Sequence, residues 1–452
     1  MNKEKIRLEI PKNVRTLLNT LKSRGYEAFA VGGCVRDSLL SVQPHDWDIC
    51  TNAEPEKTKE CFSGYRMFEA GIKHGTISVV LDGEVYEITT YRIDGEYSDN
   101  RRPDSVSFTG DIRQDLARRD FTVNAMAYND ERGIVDPFGG VQDLKSGLIR
   151  CVGNAEKRFD EDALRILRAL RFASTYSFEI EDNTSRAIIA KKALLHNIAA
   201  ERISSELARL LCGDGVEKIL NDYREVFAEF MPEIRDSFDF EQRSKHHCLD
   251  VWRHTVRAVS VVEPEPLLRM SMLLHDLGKP AACTTDPDGT RHFKGHPKIS
   301  VELAKPILSR LRFSSAFCED CLKLVEYHDI RFSGKRPQLR RVIRDIGEEN
   351  TKRLFKLQYA DTMAQSDYMR EEKLSTLEAE KQLFEELMSE SECFSLKQLA
   401  VNGNDIKALG FSGKEIGLVL DALLQEVLDE KIKNEKTALL IRAKNMKNRT
   451  TG

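Results

Sequence analysis

The chain has no long apolar run and no cysteine framework. None of its apolar stretches approaches the ~18 residues that a membrane helix needs, so no membrane association is expected. The opening MNKEKIRLEI is charged and lacks the apolar core of a signal peptide. Ten cysteines are scattered over 452 residues, which is typical of reduced thiols and not of a disulfide scaffold. We therefore expect a cytoplasmic location.

The chain also lacks a strong net charge, but its charges are unevenly distributed. A formal net charge of −4 gives no global argument for nucleic-acid binding. Two consecutive segments are nevertheless basic, and their residues are Arg92, Arg101, Arg102, Arg113, Arg118 and Arg119, then Arg150, Lys157, Arg158, Arg165, Arg168 and Arg171. Local clusters of this kind predict a polyanionic partner.

Composition and periodicity change along the chain. The part up to residue 150 mixes β-rich stretches such as TISVVL and VYEITTY with Gly, Pro and Asp turns, which indicates an α+β domain. Beyond Phe159, apolar residues recur at helical spacing, so nearly all of the rest should be helical. The sequence carries no internal repeat and no pattern that specifies an oligomeric state.

Two aspartates flank one tryptophan in FAVGGCVRDSLLSVQPHDWDICTNA. Alternate residues of a strand point the same way, so Asp46 and Asp48 should project together, opposite Trp47. Paired carboxylates repel each other unless a cation lies between them, and hard oxygen ligands suit Mg²⁺. In two-metal phosphoryl transfer a third carboxylate usually joins them, and Glu87 in VYEITTY is the best candidate. The simpler interpretation of the aspartate pair is an ordinary acidic turn, and that of Glu87 is a solvent-facing strand residue.

A glycine pair precedes the aspartates. Gly32 and Gly33 separate a strand-like run from a predicted helix start, where backbone amides could approach a phosphate. Arg36 could reach the same anion. Alone, a Gly-Gly turn before a helix is usually only a turn, but next to the aspartates it predicts a phosphate and metal site.

At these residues the sequence resembles the class II nucleotidyltransferases of the polymerase-beta superfamily, which include tRNA CCA-adding enzymes and bacterial poly(A) polymerases. GGCVRD matches their GGxVRD motif, and DWD follows at the family's spacing. The similarity continues through YRIDGEYSDNRRPDSVSF, DLARRDFTVNAMAYN, DPFGGVQDL and RFDEDALRILRALRFA, over roughly residues 28 to 175. Cys34, where alanine is common in the family, and His45, just before the first aspartate, are small departures from the family's pattern. The resemblance implies that Gly33 and Arg36 contact the nucleotide, while Asp46 and Asp48 hold magnesium.

The segment EDALRILRALRFA carries charged residues at steps of three, namely Asp162, Arg165, Arg168 and Arg171. On one helix each is rotated by about −60° from the last, so only near neighbours can share a ligand. The pair Asp162 and Arg165 could address one base edge, because a carboxylate accepts from the exocyclic amine of cytosine and adenine. Uracil or guanine would leave that acceptor unpaired, which costs about 1–3 kcal/mol. A surface helix with i,i+3 ion pairs is the alternative.

The resemblance assigns these charged residues to the nucleotide. It implies that Asp162 and Arg165 select CTP and ATP, and that Arg168 and Arg171 contact phosphates. It places Arg119, in DLARRDF, on the phosphates and sugar. Enzymes of this type that add only CC lack a segment like the one from Asp94 to Asp104, so this loop favours addition of the terminal A.

Histidines and aspartates recur through the helical middle of the chain. The candidate ligands are His254, His275, Asp276, His296, His328 and Asp361. Their order resembles that of the HD phosphohydrolase superfamily, in which H, HD and a distant D hold one or two divalent metals and intervening histidines serve the second. Such ligands suit Mn²⁺, Fe²⁺, Ni²⁺ or Mg²⁺, and a bound metal would activate water against a phosphate ester. The alternative is an inert structural remnant.

Four domains follow from the resemblances. They are a polymerase-beta-like nucleotidyltransferase head with a small mixed sheet (1–150), an all-α neck (151–235), an HD domain (236–370) and a helical tRNA-binding tail (371–452). The leading hypothesis is a tRNA nucleotidyltransferase that builds or repairs the 3′-CCA end from CTP and ATP without a template. An A-adding enzyme or poly(A) polymerase shares the same head. A third hypothesis is mainly an HD phosphohydrolase whose head holds RNA.

Overall fold

The computed structural model describes residues 7–95, 105–332, 334–390 and 393–450. For residues 448–450 it describes the backbone only. The chain divides into two compact units, Met1–Pro232 and Glu233–Gly452. The first contains the large sheet and the second is almost wholly helical, which confirms the predicted α+β class. The finer division into four domains stays a prediction. Most of the predicted loop from Asp94 to Asp104, including Arg101 and Arg102, lies outside the described residues.

A seven-stranded sheet organises the first unit. The strands of this unit are β1 (Ala28–Val31), β2 (Ile49–Thr51), β3 (Arg66–Phe68), β4 (Thr76–Leu81), β5 (Glu84–Thr90), β6 (Arg92–Asp94), β7 (Val106–Phe108), β8 (Ala127–Asn129), β9 (Gly133–Val135), β10 (Leu148–Ile149) and β11 (Glu179–Ile180). The sheet has the order β3-β4-β5-β2-β1-β8-β9. Only β2 and β5 are parallel neighbours in it, so the sheet is mixed, as predicted.

Helices cover this sheet and continue beyond it. They are α1 (Lys12–Ser23), α2 (Gly33–Leu39), α3 (Pro55–Cys61), α4 (Ile112–Ala117), α5 (Gly140–Lys145), α6 (Ala155–Glu161), α7 (Leu164–Tyr176), α8 (Asp182–Lys191), α9 (Ala200–Leu211), α10 (Val216–Asp222) and α11 (Arg224–Phe227). Leu164, Leu167 and Leu170 are buried along α7, which packs against α9. Burial of this leucine stripe fixes which charged residues of α7 remain available to partners.

The second unit is built from helices and one short hairpin. Its elements are α12 (Val251–Val261), α13 (Pro266–Leu274), α14 (Lys279–Ala282), β12 (Thr284–Thr285), β13 (Arg291–His292), α15 (His296–Arg310), α16 (Ser315–Tyr327), α17 (Arg336–Ile346), α18 (Glu348–Ala364), α19 (Arg370–Ser389), α20 (Gly403–Ala408), α21 (Lys414–Leu428) and α22 (Lys436–Thr450). Helix α12 packs on α13 and α18, and α16 packs on α13, α15 and α18. These helices bring the candidate ligands together. Within the described ranges, no helix is both long and apolar enough to cross a bilayer.

Candidate active sites

Three carboxylates, those of Asp46, Asp48 and Glu87, lie near the parallel strand pair β2 and β5 of the large sheet. Asp46 and Asp48 lie in an extended segment just before β2, outside the strand in which the sequence placed them. Burial still alternates as predicted, because Trp47 is only 9% exposed while both aspartates are exposed. Ile49 of β2 pairs with Ile88 of β5, so Asp48 and Glu87 each precede a paired, buried residue. Their side chains therefore share the opposite face.

Neighbouring charged groups influence the pKa of Asp48. Water reaches the Asp48 side chain, yet the surrounding protein removes enough solvent to raise its pKa to about 6, with Asp46 and Glu87 adding to the rise and Arg119 opposing it. A divalent cation between the carboxylates would relieve this repulsion and keep Asp48 ionised at neutral pH. A set of carboxylate oxygens fits Mg²⁺.

Arg119 lies against the glycine turn. Gly32 has φ +83°, and a Cβ built on it would lie 2.7 Å from the Nη1 atom of Arg119. The buried Nε of Arg119 has no hydrogen-bond partner among the described residues, so it can donate to a bound anion. The sequence assigned the nucleotide contact to Gly33, which starts α2 and has no positive φ. The need for glycine at position 32 becomes visible only from this backbone conformation.

Gly32→Ala should therefore impair the head without unfolding it. The new methyl group forces the Arg119 guanidinium to move, and a displacement of this kind costs about 10²-fold in kcat/KM. Steady-state nucleotide incorporation measures the loss. Gly83→Ala is the matched control, because Gly83 also has a positive φ (+86°) but its Cβ meets no atom within 4 Å. Equal loss in both variants would attribute the effect to backbone strain alone.

Arg36 is held tightly by its neighbours. It is buried, and its guanidinium donates to Asp37 and Asn124. The same group lies over the rings of Phe172 (4.8 Å to the centroid) and Tyr176 (5.2 Å) of α7. Arg36 thus joins α2 to α7, and its predicted contact with the nucleotide stays a prediction.

The predicted helical series of charges is wrong in its first member. Helix α7 begins at Leu164, and Asp162 lies before it, at the end of α6, with extended backbone. Its carboxylate accepts the Leu164 backbone N–H (3.1 Å) and an N–H of Arg202 from α9 (3.1 Å). The short carboxylate side chain of aspartate competes with the helical backbone for hydrogen bonds, which explains why α6 and α7 are separated at Asp162.

The three arginines of the series also have partners in this unit. Arg165 is buried and donates to Glu161 (2.7 Å) and to the backbone carbonyl of Arg118 (3.1 Å). Arg168 forms a two-point ion pair with Asp120 (2.9 and 2.7 Å), and Arg171 donates to Glu206 (2.6 Å). These ion pairs orient the guanidinium groups, and their predicted phosphate contacts stay predictions.

The ion pairs identify Arg202 and Glu206, which sequence reasoning missed, and show the partner of Asp120 in the DLARRDF motif. Burial by itself raises the pKa of Asp120, but Arg168, Asn124 and Arg165 together hold that pKa well below its usual range. Arg202 and Glu206 lie four residues apart on α9, and Glu206 is buried. Their signal in the sequence is a pair of charges on the inward face of an amphipathic helix.

Six ligand-type side chains converge in the second unit. They form two overlapping groups around Asp276, one with His254 and His275 and one with His296 and His328, and within each group the candidate ligand atoms lie within 4.8 Å of one another. Asp361 joins the first group, because its Oδ1 lies 3.0 Å from the Nε2 of His254. The arrangement suits two adjacent cations with Asp276 between them.

Hydrogen bonds to backbone carbonyls orient the imidazoles of all four candidate histidine ligands. Each Nδ1 lies within hydrogen-bond distance of a backbone carbonyl, with His254 on Ala364, His275 on Met272, His296 on Phe293 and His328 on Val325. A carbonyl only accepts, so Nδ1 carries the proton and the Nε2 lone pair faces the centre. This is the geometry of histidine ligands held by their surroundings.

Electrostatics of the centre agree with a bound cation. Burial, with His275 and His296, lowers the pKa of His328 to about 3, so this ring stays neutral, as a ligand must. Against the effect of burial, Asp276 and Asp361 raise the pKa of His275 to about 10. A metal ion would take the place of the proton that these carboxylates attract. Imidazole and carboxylate ligands fit Mn²⁺, Fe²⁺, Ni²⁺ or Mg²⁺.

A cationic cavity is lined by Asp276, His296, His328 and Asp361 of this candidate metal site. It has a volume of about 420 Å³, and its wall includes Lys279, Arg291, Lys294, Arg331 and Lys373. Lys279 is buried, and its Nζ lies 2.6 Å from Oδ2 of Asp276. The sequence showed Lys279 only as the last residue of HDLGK, although a lysine three residues after a ligand shares its side of a helical turn.

Models of known protein families match segments of both units. A model described as "Poly A polymerase head domain" matches residues 28–150, and one described as "HD domain" matches residues 245–366. A third, described as "Probable RNA and SrmB- binding site of polymerase A", matches residues 177–237. The fold and sites thus define the class of protein, a polymerase-type nucleotidyltransferase head in one chain with an HD domain.

Full-length relatives define the family within this class. The CCA-adding enzyme of Enterococcus faecalis is 30% identical over 448 residues, which cover 97% of each chain. Matches to the CCA-adding enzymes of Lactobacillus delbrueckii (47% identical) and Oceanobacillus iheyensis (49%) cover less, 48% and 45% of this chain and 52% and 50% of those proteins. The chain thus spans about half the length of these two relatives. It belongs to the family of CCA-adding enzymes.

Solved structures show the same fold. The structure of the Bacillus stearothermophilus CCA-adding enzyme in complex with CTP is 28% identical, covers 97% of both chains and gives a TM-score of 0.73. That of the Thermotoga maritima CCA-adding enzyme complexed with tRNA_CCA is 21% identical with a TM-score of 0.58, and it supports the fold alone.

Proposed function

We propose that this protein is a tRNA nucleotidyltransferase that adds or repairs the 3′-CCA end of tRNA from CTP and ATP without a nucleic-acid template. One observation carries the proposal, the carboxylates of Asp46, Asp48 and Glu87 gathered beside Arg119. The names of the relatives, and the CTP bound to the Bacillus stearothermophilus enzyme, support the substrates. The cytoplasm is the proposed location, and ten free cysteines are consistent with it.

The residues of the head divide the work of nucleotidyl transfer. Asp46 and Asp48 would hold Mg²⁺, with Glu87 as the third carboxylate. When bound, Mg²⁺ stabilises the charge that develops as the RNA 3′-hydroxyl attacks the α-phosphate and pyrophosphate leaves. Arg119 donates to the phosphates through its unpartnered Nε, and Gly32 leaves room for this guanidinium. The chain thereby positions the triphosphate next to the carboxylates.

Incorporation assays test the proposal directly. A tRNA that lacks its last three nucleotides is incubated with each labelled triphosphate in turn and with CTP plus ATP. We expect C to be added first and A only after two C, with little U or G. Addition of A alone, only to tRNA that already ends in CC, would instead identify an A-adding enzyme, and long A tails would identify a poly(A) polymerase.

Base selection is proposed to depend on Asp162. Arg202 donates to this carboxylate and leaves acceptor capacity for the exocyclic amine of cytosine or adenine. Asp162→Ala should raise UTP and GTP incorporation relative to CTP and ATP by roughly 10- to 100-fold, because the penalty of an unpaired buried acceptor, about 1–3 kcal/mol, disappears. Competition assays with paired triphosphates measure the ratio. Asp160→Ala, at an exposed position of α6, is the control, and an unchanged ratio in Asp162→Ala would remove this residue from selection.

A second activity, hydrolysis of phosphate esters, is proposed for the HD centre. It is supported by the four oriented imidazoles and the two carboxylates, of which His296, His328, Asp276 and Asp361 line a cationic cavity. His254, His275, Asp276, His296, His328 and Asp361 would hold one or two ions of Mn²⁺, Fe²⁺, Ni²⁺ or Mg²⁺. When bound, such an ion lowers the pKa of a coordinated water, and Lys279, Arg291 and Lys373 attract the anionic ester.

The tail is proposed to bind tRNA. Its basic end carries Lys436, Arg442, Lys444 and Lys447 on α22. Two of these charges are already paired, Lys436 with Asp405 and Arg442 with Glu426. Lys447 donates to the backbone carbonyls of Leu409 and Gly410. The exposed Lys444 is therefore the stronger candidate for a phosphate contact.

A further inference from the structure

A second chamber adjoins the cavity of the HD metal centre. It has a volume of about 290 Å³ and lies between α18, α19 and the segment that follows α16. Arg331 and Lys373 line both the chamber and the cavity that contains Asp276 and His328. The two spaces therefore share a wall of two cationic side chains.

The shared wall is tied to the metal centre by hydrogen bonds. Gln365 donates to Oδ2 of Asp361 (3.0 Å) and accepts from Nζ of Lys373 (2.7 Å). Arg331 approaches the same Asp361 oxygen to 3.9 Å. Lys373 and Arg331 therefore lie next to both the candidate metal ligands and the chamber.

The chamber is less polar than the cavity of the metal ligands, and its wall includes a hydrogen-bond acceptor that has no donor among the described residues. Leu377 and Met369 contribute apolar surface, and Thr362 and Gln358 are buried polar residues of its wall. Gln358 is 2% exposed, and its Nε2 donates to the carbonyl of Ile330 (2.7 Å), which fixes the orientation of the amide. Its Oε1 has no partner among the described residues. Because a buried acceptor is normally satisfied, this oxygen indicates a ligand with an N–H or O–H donor.

We propose that this chamber binds the organic group of the phosphate ester that the HD centre hydrolyses, and that Gln358 and Leu377 determine its specificity. The inference rests on the hydrolase function proposed above. The group it selects is nucleoside-sized, since ~300 Å³ is the lower end of ligand pockets, with an apolar face and a donor for Gln358. In the reaction the oxygen of water bonds to phosphorus and the ester P–O bond breaks. The leaving oxygen takes a proton as the alcohol, and inorganic phosphate remains.

Filling the chamber from its rim tests the proposal. Thr376 is exposed on the chamber wall, so Thr376→Trp should occupy the space without disturbing the core. The full-length protein is assayed with added Mn²⁺ for phosphate release from the 2′-, 3′- and 5′-monophosphates of adenosine and from β-glycerophosphate. In the native protein, kcat/KM for the best adenosine ester should exceed that for β-glycerophosphate at least tenfold. Thr376→Trp should remove this preference by raising KM for the adenosine ester only.

Matched variants separate this effect from a general loss of activity. Ser375→Trp places the same side chain one residue away, outside the chamber, and should leave both substrates unchanged. Gln358→Met removes the acceptor and should raise KM for the adenosine ester about fivefold, with a melting temperature to confirm folding.

The possible failures are distinguishable. If no probe is hydrolysed by the native protein, the hydrolase function itself is wrong. If β-glycerophosphate is hydrolysed as efficiently as every adenosine ester, or if Thr376→Trp and Gln358→Met leave the preference intact, the hydrolase function stands and the chamber proposal is overturned.

Discussion

Asp48→Asn is expected to reduce incorporation of CMP into tRNA without its CCA end by about three orders of magnitude or more, the scale of losing a group that stabilises transition-state charge. Asparagine keeps the shape of the side chain and removes one negative charge. Asp46 and Glu87 lie close enough to Asp48 to raise its pKa, so the three act on one electrostatic site. Single-turnover incorporation at increasing Mg²⁺ measures the loss, and the variant should need a higher Mg²⁺ concentration.

The control for this variant lies in the same unit. Asp82 is exposed in the turn between β4 and β5 and has a φ of 53°, which asparagine tolerates well. Asp82→Asn should therefore incorporate CMP at the native rate. Near-native activity of Asp48→Asn, with the fold intact, would contradict the assignment of this carboxylate to the metal and the proposed function with it.

Asp276→Asn is expected to abolish phosphate-ester hydrolysis at the HD centre, again by about three orders of magnitude. Asp276 is the one side chain shared by both candidate ligand groups, so its charge would be felt by both ions. The variant should also bind less metal, which elemental analysis of the dialysed protein measures independently of activity. Incorporation of CMP should remain at the native level, because the head contains its own carboxylates.

The exposed Asp421 of α21 provides the matched control for the HD variant. Asp421→Asn should keep the metal content and both activities. If Asp276→Asn still hydrolysed its ester at the native rate, or if Asp48→Asn lost hydrolysis as well as incorporation, the view of two independent active sites would be wrong.

The head site could be predicted from the sequence to the extent that its chemistry is local. Asp46 and Asp48 are two residues apart, and the alternation of an extended chain is enough to point them the same way even though they lie outside the strand. Glu87 was harder, because its proximity depends on the parallel pairing of β2 with β5. The glycine pair was predicted from the sequence, but the close approach of Arg119 to Gly32 was not, since it depends on a segment 87 residues further along the chain.

The charged segment from Asp162 to Arg171 shows the opposite case, in which periodicity misled. A step of three from Asp162 to Arg171 predicted one helix, but Asp162 forms hydrogen bonds with the Leu164 backbone and with Arg202, and the helix starts after it. The partners of Arg168 and Arg171 come from other elements, Asp120 and Glu206. A sequence pattern gives no information on such distant pairings.

The sequence by itself determined the α+β class, the paired carboxylates of Asp46 and Asp48, and the order of the HD ligands, because each follows from residue type and short-range spacing. Only the tertiary structure decided which side chains share a site. Glu87 reaches Asp48 through strand pairing, Asp276 lies between two groups of histidines through helix packing, and Gln358 is left as a buried acceptor in the wall of the second chamber. The physical reason is that charge repulsion, desolvation and unsatisfied hydrogen bonds act over a few ångströms in space, whatever the separation along the chain.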